Sequence, residues 1–310
     1  MTMSDADRNA LVERWTLKSS PSEQNTMVRA ERMIREAIDQ HPPLQEDRGS
    51  LHVYAKGSYA NRTNVRRDSD VDIVVENRRL YYSDYIDTKT AHAAVLDPYA
   101  TDYTGVWIPE TWRDEVENAL RSYFGLRDVD TTGDVAVTIA AVPGSRPSSD
   151  VVPAFEYRRF DSADRRATHH GSKVFKKSGG AIINYPFQQL ENGNAKDRRT
   201  GGKYKEFARA LKNGENALVE AGLMGAKPSY LMECLAYNIP DADLTPGFTH
   251  SSWFQHALAT LFNRLRQQEY AHDDWVEPNE LKWLFSPAQR WSVDDARELA
   301  SRLWDFLDYP

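Results

Sequence analysis

The chain has 310 residues, with 39 Lys and Arg against 46 Asp and Glu, giving a net charge of −7. Its 40% apolar and 27% charged residues, with eight Trp and eleven Phe, describe a globular chain with ample core and exclude a largely disordered one. No run approaches the roughly 20 apolar residues of a membrane span, and Cys234, the one cysteine, excludes an intrachain disulfide or a thiolate zinc cluster.

The opening run MTMSDADRNALVERW carries charges where a secretory signal is apolar, so a cytoplasmic protein is expected. From Thr26 to Gln40, residues Met27, Ala30, Met33, Ile34 and Ile38 recur at helical spacing. Leu51 to Ala55 reads as a strand ending at Gly57, and Val71 to Glu76 as a second β-rich run. Residues 78–108 are rich in Tyr but lack a period, which suggests a long surface excursion. Pro109 to Phe124 is a helix with proline in its first turn. Val135 to Val142 and Val151 to Arg158 read as strands joined by PGSRPSS, a composition suited to a hairpin connection. Beyond about Tyr185 the pattern turns helical: Lys203 to Ala221, Ser229 to Tyr237, Ser252 to Glu269 and Val293 to Leu307. The expected class is therefore α+β, with residues 1–185 forming a mixed lobe that includes the amino-terminal helix and residues 186–310 forming a helical lobe. Between Glu156 and Lys212, fourteen Lys and Arg face six Asp and Glu. That local excess suits either a polyphosphate or a plain solvated surface, while the net acidity argues against a nucleic-acid coat and against any obligate nucleic-acid partner.

The segment GSYANRTNVRRDSDVDIVVE, residues 57–76, carries the most chemistry. Asp70 and Asp72 stand two apart on the expected strand, so their side chains leave one face about 7 Å apart. Two ionised carboxylates on a half-buried strand repel and lose hydration, which costs several kcal/mol unless a cation or a proton neutralises them. Oxygen-only ligands favour Mg²⁺ or Mn²⁺ over zinc. Upstream, Gly57 lets backbone N–H groups approach an anion, and the Ser58 hydroxyl adds a donor for a phosphate. A third carboxylate is expected from a later strand. Asp134 is the competitor, but Asp150 is preferred because a strand-initial Asp such as Asp134 is usually a cap or turn residue. Asp68 reads as a loop residue.

Gly-Ser, a spacer, Asp-hydrophobic-Asp-hydrophobic and a later Asp resemble the polymerase β-like nucleotidyltransferases. The wider chain, over about residues 50–240, resembles the cGAS/DncV-like branch: the bacterial CD-NTases of CBASS anti-phage systems, most of all the CdnE group. Besides the carboxylate motif, the likeness is carried by DVVPAFEYRR, HGSKVF, INYPFQQLENGNAKDRRTGG and PSYLMECLAYNIP. It implies a catalytic lobe and a helical lobe with the active-site cleft between them, two Mg²⁺ ions (Mn²⁺ possible) on Asp70, Asp72 and Asp150, and synthesis of a cyclic dinucleotide or oligonucleotide from NTPs. It further implies that Lys205 and Ser229 contact the donor phosphates, that Tyr230 stacks on a base, and that Asn184 reads one. A carboxamide at 184 can accept from uracil N3–H and donate to O4, so UTP is an expected substrate beside a second NTP. A downstream CBASS effector would sense the product. Without the resemblance, Lys205 reads as an exposed helix residue, Ser229 as a cap after Pro228, Tyr230 as core and Asn184 as a strand end before Pro186. The alternative activity is template-independent RNA or linear oligonucleotide synthesis.

Overall fold

The computed structural model describes residues 3–18, 20–65, 70–93, 102–244, 249–267 and 274–310. The backbone divides into two compact units, and neither is a single stretch of chain. One comprises Pro21–Tyr59 and Asp68–Pro186; the other comprises Met1–Ser20, Ala60–Arg67 and Phe187–Pro310. The expected Asp68 loop lies outside the described residues.

The chain starts with helix α1 (Asp5–Thr16), which belongs to the second unit. Its first turn is set by Ser4, whose side chain accepts from the Asp7 N–H at 3.2 Å, with Asp5 and Asp7 favourably placed on the helix dipole. The first unit follows with α2 (Pro21–Gln40), β1 (Leu51–Ala55), the opening residues of the short α3 (Gly57–Asn61), β2 (Val71–Tyr85) and α4 (Thr88–Ala93). After these come α5 (Pro109–Phe124), β3 (Val129–Asp130), β4 (Val137–Ile139), β5 (Ser149–Phe160), β6 (Thr168–Phe175) and β7 (Ala181–Asn184). Proline opens α5, and Gly125, at φ 89°, closes it.

These strands form one mixed sheet in the order β1-β2-β5-β4-β3, with β6 pairing the later half of β5 and β7 pairing β6. The β2–β5 pair is parallel; every other pair is antiparallel. Side chains alternate between faces along each strand. Val71, Ile73 and Val75 of β2 and Val151 and Phe155 of β5 join Ile34 and Ile38 of α2 and Trp112, Val116 and Leu120 of α5 in the main core of this unit. The opposite face carries a smaller apolar cluster of Tyr54, Val74, Val152, Ala154 and Val174.

The helical unit adds α6 (Pro186–Arg199), α7 (Lys203–Glu220), α8 (Ser229–Tyr237), α9 (His250–Arg266) and α10 (Val293–Phe306). Gly201 and Gly202, both at positive φ, break α6 from α7 where most side chains would be strained. Its core gathers Val12 and Trp15 of α1 with Phe207, Leu211, Leu235, Phe254, Leu261, Leu299 and Leu303.

Two expectations change. The excursion expected at 78–108 is a strand through Tyr85: after a register shift between Asn77 and Tyr81, residues 81–85 pair with β5 from Glu156 to Phe160. That irregularity interrupts the alternation of side chains and hides the strand in the sequence. Residues 1–20, expected within the 1–185 lobe, group instead with the helical unit and form α1, a helix the sequence reading does not include, whereas the helix expected over Thr26–Gln40 is α2 and stays in the sheet unit. The Arg209 guanidinium donates to the Thr16 carbonyl at 2.8 Å, and Arg8 donates to the carbonyl of Asp308 at 2.8 Å. Such pairings join chain regions far apart, which periodicity does not reveal.

Phe254 is fully buried, 5.4 Å from Phe207 and 6.4 Å from both Trp15 and Trp253, measured between ring centres. Phe254→Ala is expected to lower unfolding free energy by about 3–5 kcal/mol, read as a lower urea midpoint.

Candidate active site

The parallel register of β2 and β5 sets Asp72 directly opposite Asp150. Both share a face with the buried Val74 and Val152, so the two half-buried carboxylates sit at the end of an apolar floor. Thr138 of β4, opposite Asp150 on its other side, donates its hydroxyl to Asp150 Oδ1 at 2.6 Å and fixes that carboxylate's orientation. On the Asp72 side, the Lys56 N–H donates to the Asp72 carbonyl at 2.9 Å, tying the end of β1 to β2. Burial holds the Lys56 ammonium below the ordinary lysine range, against the opposing pull of Asp72 and Asp150.

Gly57 follows at φ 71°, and a Cβ there would lie 2.2 Å from Asp72 Oδ2. The glycine is required both by its backbone conformation and by the carboxylate packed against it. Ser58, the next residue, is half-buried in the first turn of α3.

Asp70 precedes β2 and is exposed. The structure thus pairs Asp72 with Asp150, but among the described residues no three His, Cys, Asp or Glu side chains gather as a ready metal cluster. The donor set still fits a hard cation: two carboxylates on one face, no sulfur or imidazole, and one amine as neighbouring positive charge. Further along the same face, Glu76 and Glu156 are neutralised differently. Arg78 Nε donates to Glu76 at 2.6 Å, and Arg158 Nε to Glu156 at 2.9 Å. Asp134 is a turn residue, accepting from the Ser178 N–H at 2.7 Å and the Ser178 hydroxyl at 2.9 Å.

Asn184 ends β7, opposite Ser172 on β6. The neighbouring Gly171 permits that closeness, since a Cβ there would stand 2.5 Å from the Asn184 carbonyl oxygen and 2.9 Å from the Tyr185 ring.

The helical unit holds the other expected residues. Lys205 is buried rather than exposed: its Nζ donates to Asn194 Oδ1 at 2.5 Å. Burial lowers its pKa, Asp197 opposes that shift and Arg62 reinforces it. Ser229 is the first residue of α8, exposed, with no capping hydrogen bond at that terminus. Tyr230 is half-buried, donates its hydroxyl to Glu277 at 3.2 Å and meets Trp291 edge-on at 6.2 Å.

Lys56, Thr138 and Gly171 were not legible as site residues. Lys56 directly precedes Gly-Ser, a usable signal; Thr138 and Gly171 acquire meaning only from strand register. Gly57→Ala is expected to cost about 1–2 kcal/mol from the positive φ alone, with a further penalty for displacing the Asp72 carboxylate. Chemical denaturation measures it.

Residues 191–308 match the cGAS/DncV-like nucleotidyltransferase C-terminal helical domain. The chain is 35% identical over 296 residues to the cyclic dipyrimidine nucleotide synthase CdnE of Legionella pneumophila, covering 95% of this chain and 96% of that protein. It is 29% identical to the cyclic dipurine nucleotide synthase of Elizabethkingia meningoseptica, covering 83% and 85%. The solved structure of the Rhodothermus marinus CdnE c-UMP-AMP synthase with Apcpp and Upnpp superimposes with a TM-score of 0.76 at 28% identity, covering 96% of this chain and 95% of that one. With the polymerase β-like α+β fold, the Gly-Ser turn and the paired carboxylates, these likenesses establish that the chain belongs to the cGAS/DncV-like nucleotidyltransferases, in the CdnE group of cyclic nucleotide synthases.

Proposed function

We propose that this protein joins NTPs, one of them UTP, into a cyclic di- or oligonucleotide that a downstream effector senses in bacterial anti-phage signalling in the cytoplasm. The observation that carries the reading is Asp72 opposite Asp150 with Gly57 packed against the Asp72 carboxylate. It is supported by the names of the relatives, which include synthases of pyrimidine-containing cyclic dinucleotides.

The reaction is in-line attack of a ribose hydroxyl on the α-phosphate of a bound NTP, with pyrophosphate leaving. Mg²⁺ or Mn²⁺ at Asp70, Asp72 and Asp150 would supply charge neutralisation and a more acidic hydroxyl. The protein's own part is positioning. Gly57 and Ser58 receive phosphate oxygens, Thr138 holds Asp150 in one orientation, and Lys205 and Ser229 add an ammonium and a hydroxyl to the triphosphate. Tyr230 offers a ring face, worth about 1–3 kcal/mol per stacked base. Asn184 presents its carboxamide to the uracil edge, at a strand end set by Gly171. A second transfer within the linear dinucleotide closes the ring.

Mg²⁺ is expected to raise the melting temperature of the wild type and not of Asp72→Asn, which also loses NTP turnover. Equal metal stabilisation of both proteins counts against the carboxylate site.

Radiolabelled UTP incubated with each other NTP is expected to give a phosphatase-resistant product containing uridine. Asn184→Ser is expected to cut the preference for UTP by about ten-fold. Consumption of ATP and GTP alone refutes the role of Asn184, and phosphatase-sensitive products of increasing length favour linear synthesis.

A further inference from the structure

Three consecutive residues after the Gly-Ser turn, Asn61, Arg62 and Thr63, are each held by polar side chains of α7 or α8. Asn61 Nδ2 donates to Glu233 Oε2 at 3.0 Å. The Arg62 carbonyl accepts from Arg209 Nη1 at 2.9 Å. The Thr63 hydroxyl donates to Glu233 Oε1 and accepts from Lys212 Nζ at 3.2 Å. Lys212 Nζ also donates to Glu233 Oε1 at 2.5 Å.

The arrangement is unusual in two ways. Its charged members are deeply buried, Lys212 at 3% and Glu233 at 2% exposure, with Thr63 at 0%. Burial alone would raise the Glu233 pKa, but Lys212 and the hydroxyl and amide donors hold it below the ordinary glutamate range. Arg62, in the middle of the clamped stretch, has φ 57°, a conformation that a non-glycine residue keeps only where its surroundings fix it. A buried ion pair is a poor way to gain stability, because apolar side chains of similar volume do as well or better. Its retention here calls for a role in geometry. Glu233 lies one turn beyond Ser229 on α8, and Lys212 two turns beyond Lys205 on α7, on the same helix faces.

We propose that Lys212 and Glu233 are positioning residues that lock residues 61–63, the chain leaving Ser58, to the helices carrying Lys205 and Ser229. By chain continuity the lock fixes the carboxyl-terminal end of α3, the helix that opens with Gly57 and Ser58. Its catalytic consequence rests on the nucleotide-binding reading of Ser58, Lys205 and Ser229 above; its structural content does not.

The test compares Thr63→Val, which keeps the side-chain shape and loses the hydroxyl, with Thr63→Ser, which keeps the hydroxyl. Amide hydrogen exchange in residues 59–65 is expected to quicken about ten-fold in Thr63→Val while α7 and α8 retain wild-type protection. The KM for NTP is expected to rise about ten-fold with kcat within about three-fold of wild type. Thr63→Ser restores both. Should Thr63→Val fail to fold, Asn61→Ala, which leaves the Lys212–Glu233–Thr63 contacts in place, is read by the same two measurements. Exchange in 59–65 as slow as wild type overturns the proposal, as does loss of protection in α7 and α8 in step with it, or faster exchange with unchanged KM. Exchange needs no turnover, so a wild type inactive toward NTPs would defeat the synthase reading while the lock is still decided.

Discussion

Two like charges held side by side on neighbouring parallel strands are the constraint around which the sheet unit is arranged. Adjacent strands lie about 4.8 Å apart. At an effective dielectric near 20, two carboxylates at that spacing repel by about 3 kcal/mol. Each carboxylate is held by its own neighbour: Thr138 fixes Asp150, and the bare backbone of Gly57 accepts the Asp72 carboxylate beside it. The Lys56 ammonium, itself held in a buried setting, offsets part of the repulsion. Both carboxylates are thus held in fixed orientations on one face of the sheet. Glu76 and Glu156 on the same face make the contrast plain, because each already has an arginine partner and neither is left to recruit one.

Much of this was legible in the sequence because it rests on local rules. The two-residue repeat placed Asp72 on a strand, the composition of PGSRPSS marked the hairpin before Asp150, and the helical spacing of α7, α8 and α10 gave the second unit its character. What escaped has a common physical origin in pairing between distant segments. The extension of β2 to Tyr85 depends on a bulge that breaks alternation, and Thr138 matters only because antiparallel pairing sets it against Asp150. Lys205 looked like an exposed helix residue until Asn194 and its burial were in view. The family resemblance supplied a role for it that composition did not.

The helical unit holds one segment by polar groups alone. Its core is apolar, yet the segment it receives from the other half of the chain, Asn61 to Thr63, has no apolar side chain to bury. Hydrogen bonds donated by Arg209 and Lys212 and accepted by Glu233 take the place of packing there. Directional contacts of this kind fix a backbone more sharply than apolar contact does, since they lapse within a small displacement. That suits a stretch of chain leading away from the Gly-Ser turn at the start of α3.

The interleaving of the units also bears on how the protein is made. Thr16 and Trp15 reach their partners Arg209 and Asn213 across 193 and 198 residues of sequence. At ribosomal speeds of about 5–20 residues per second, α1 therefore waits on the order of 10–40 s for the helices that cover Val12 and Trp15. Val12 and Trp15 are thus covered only after α7, far later in the chain, has been made.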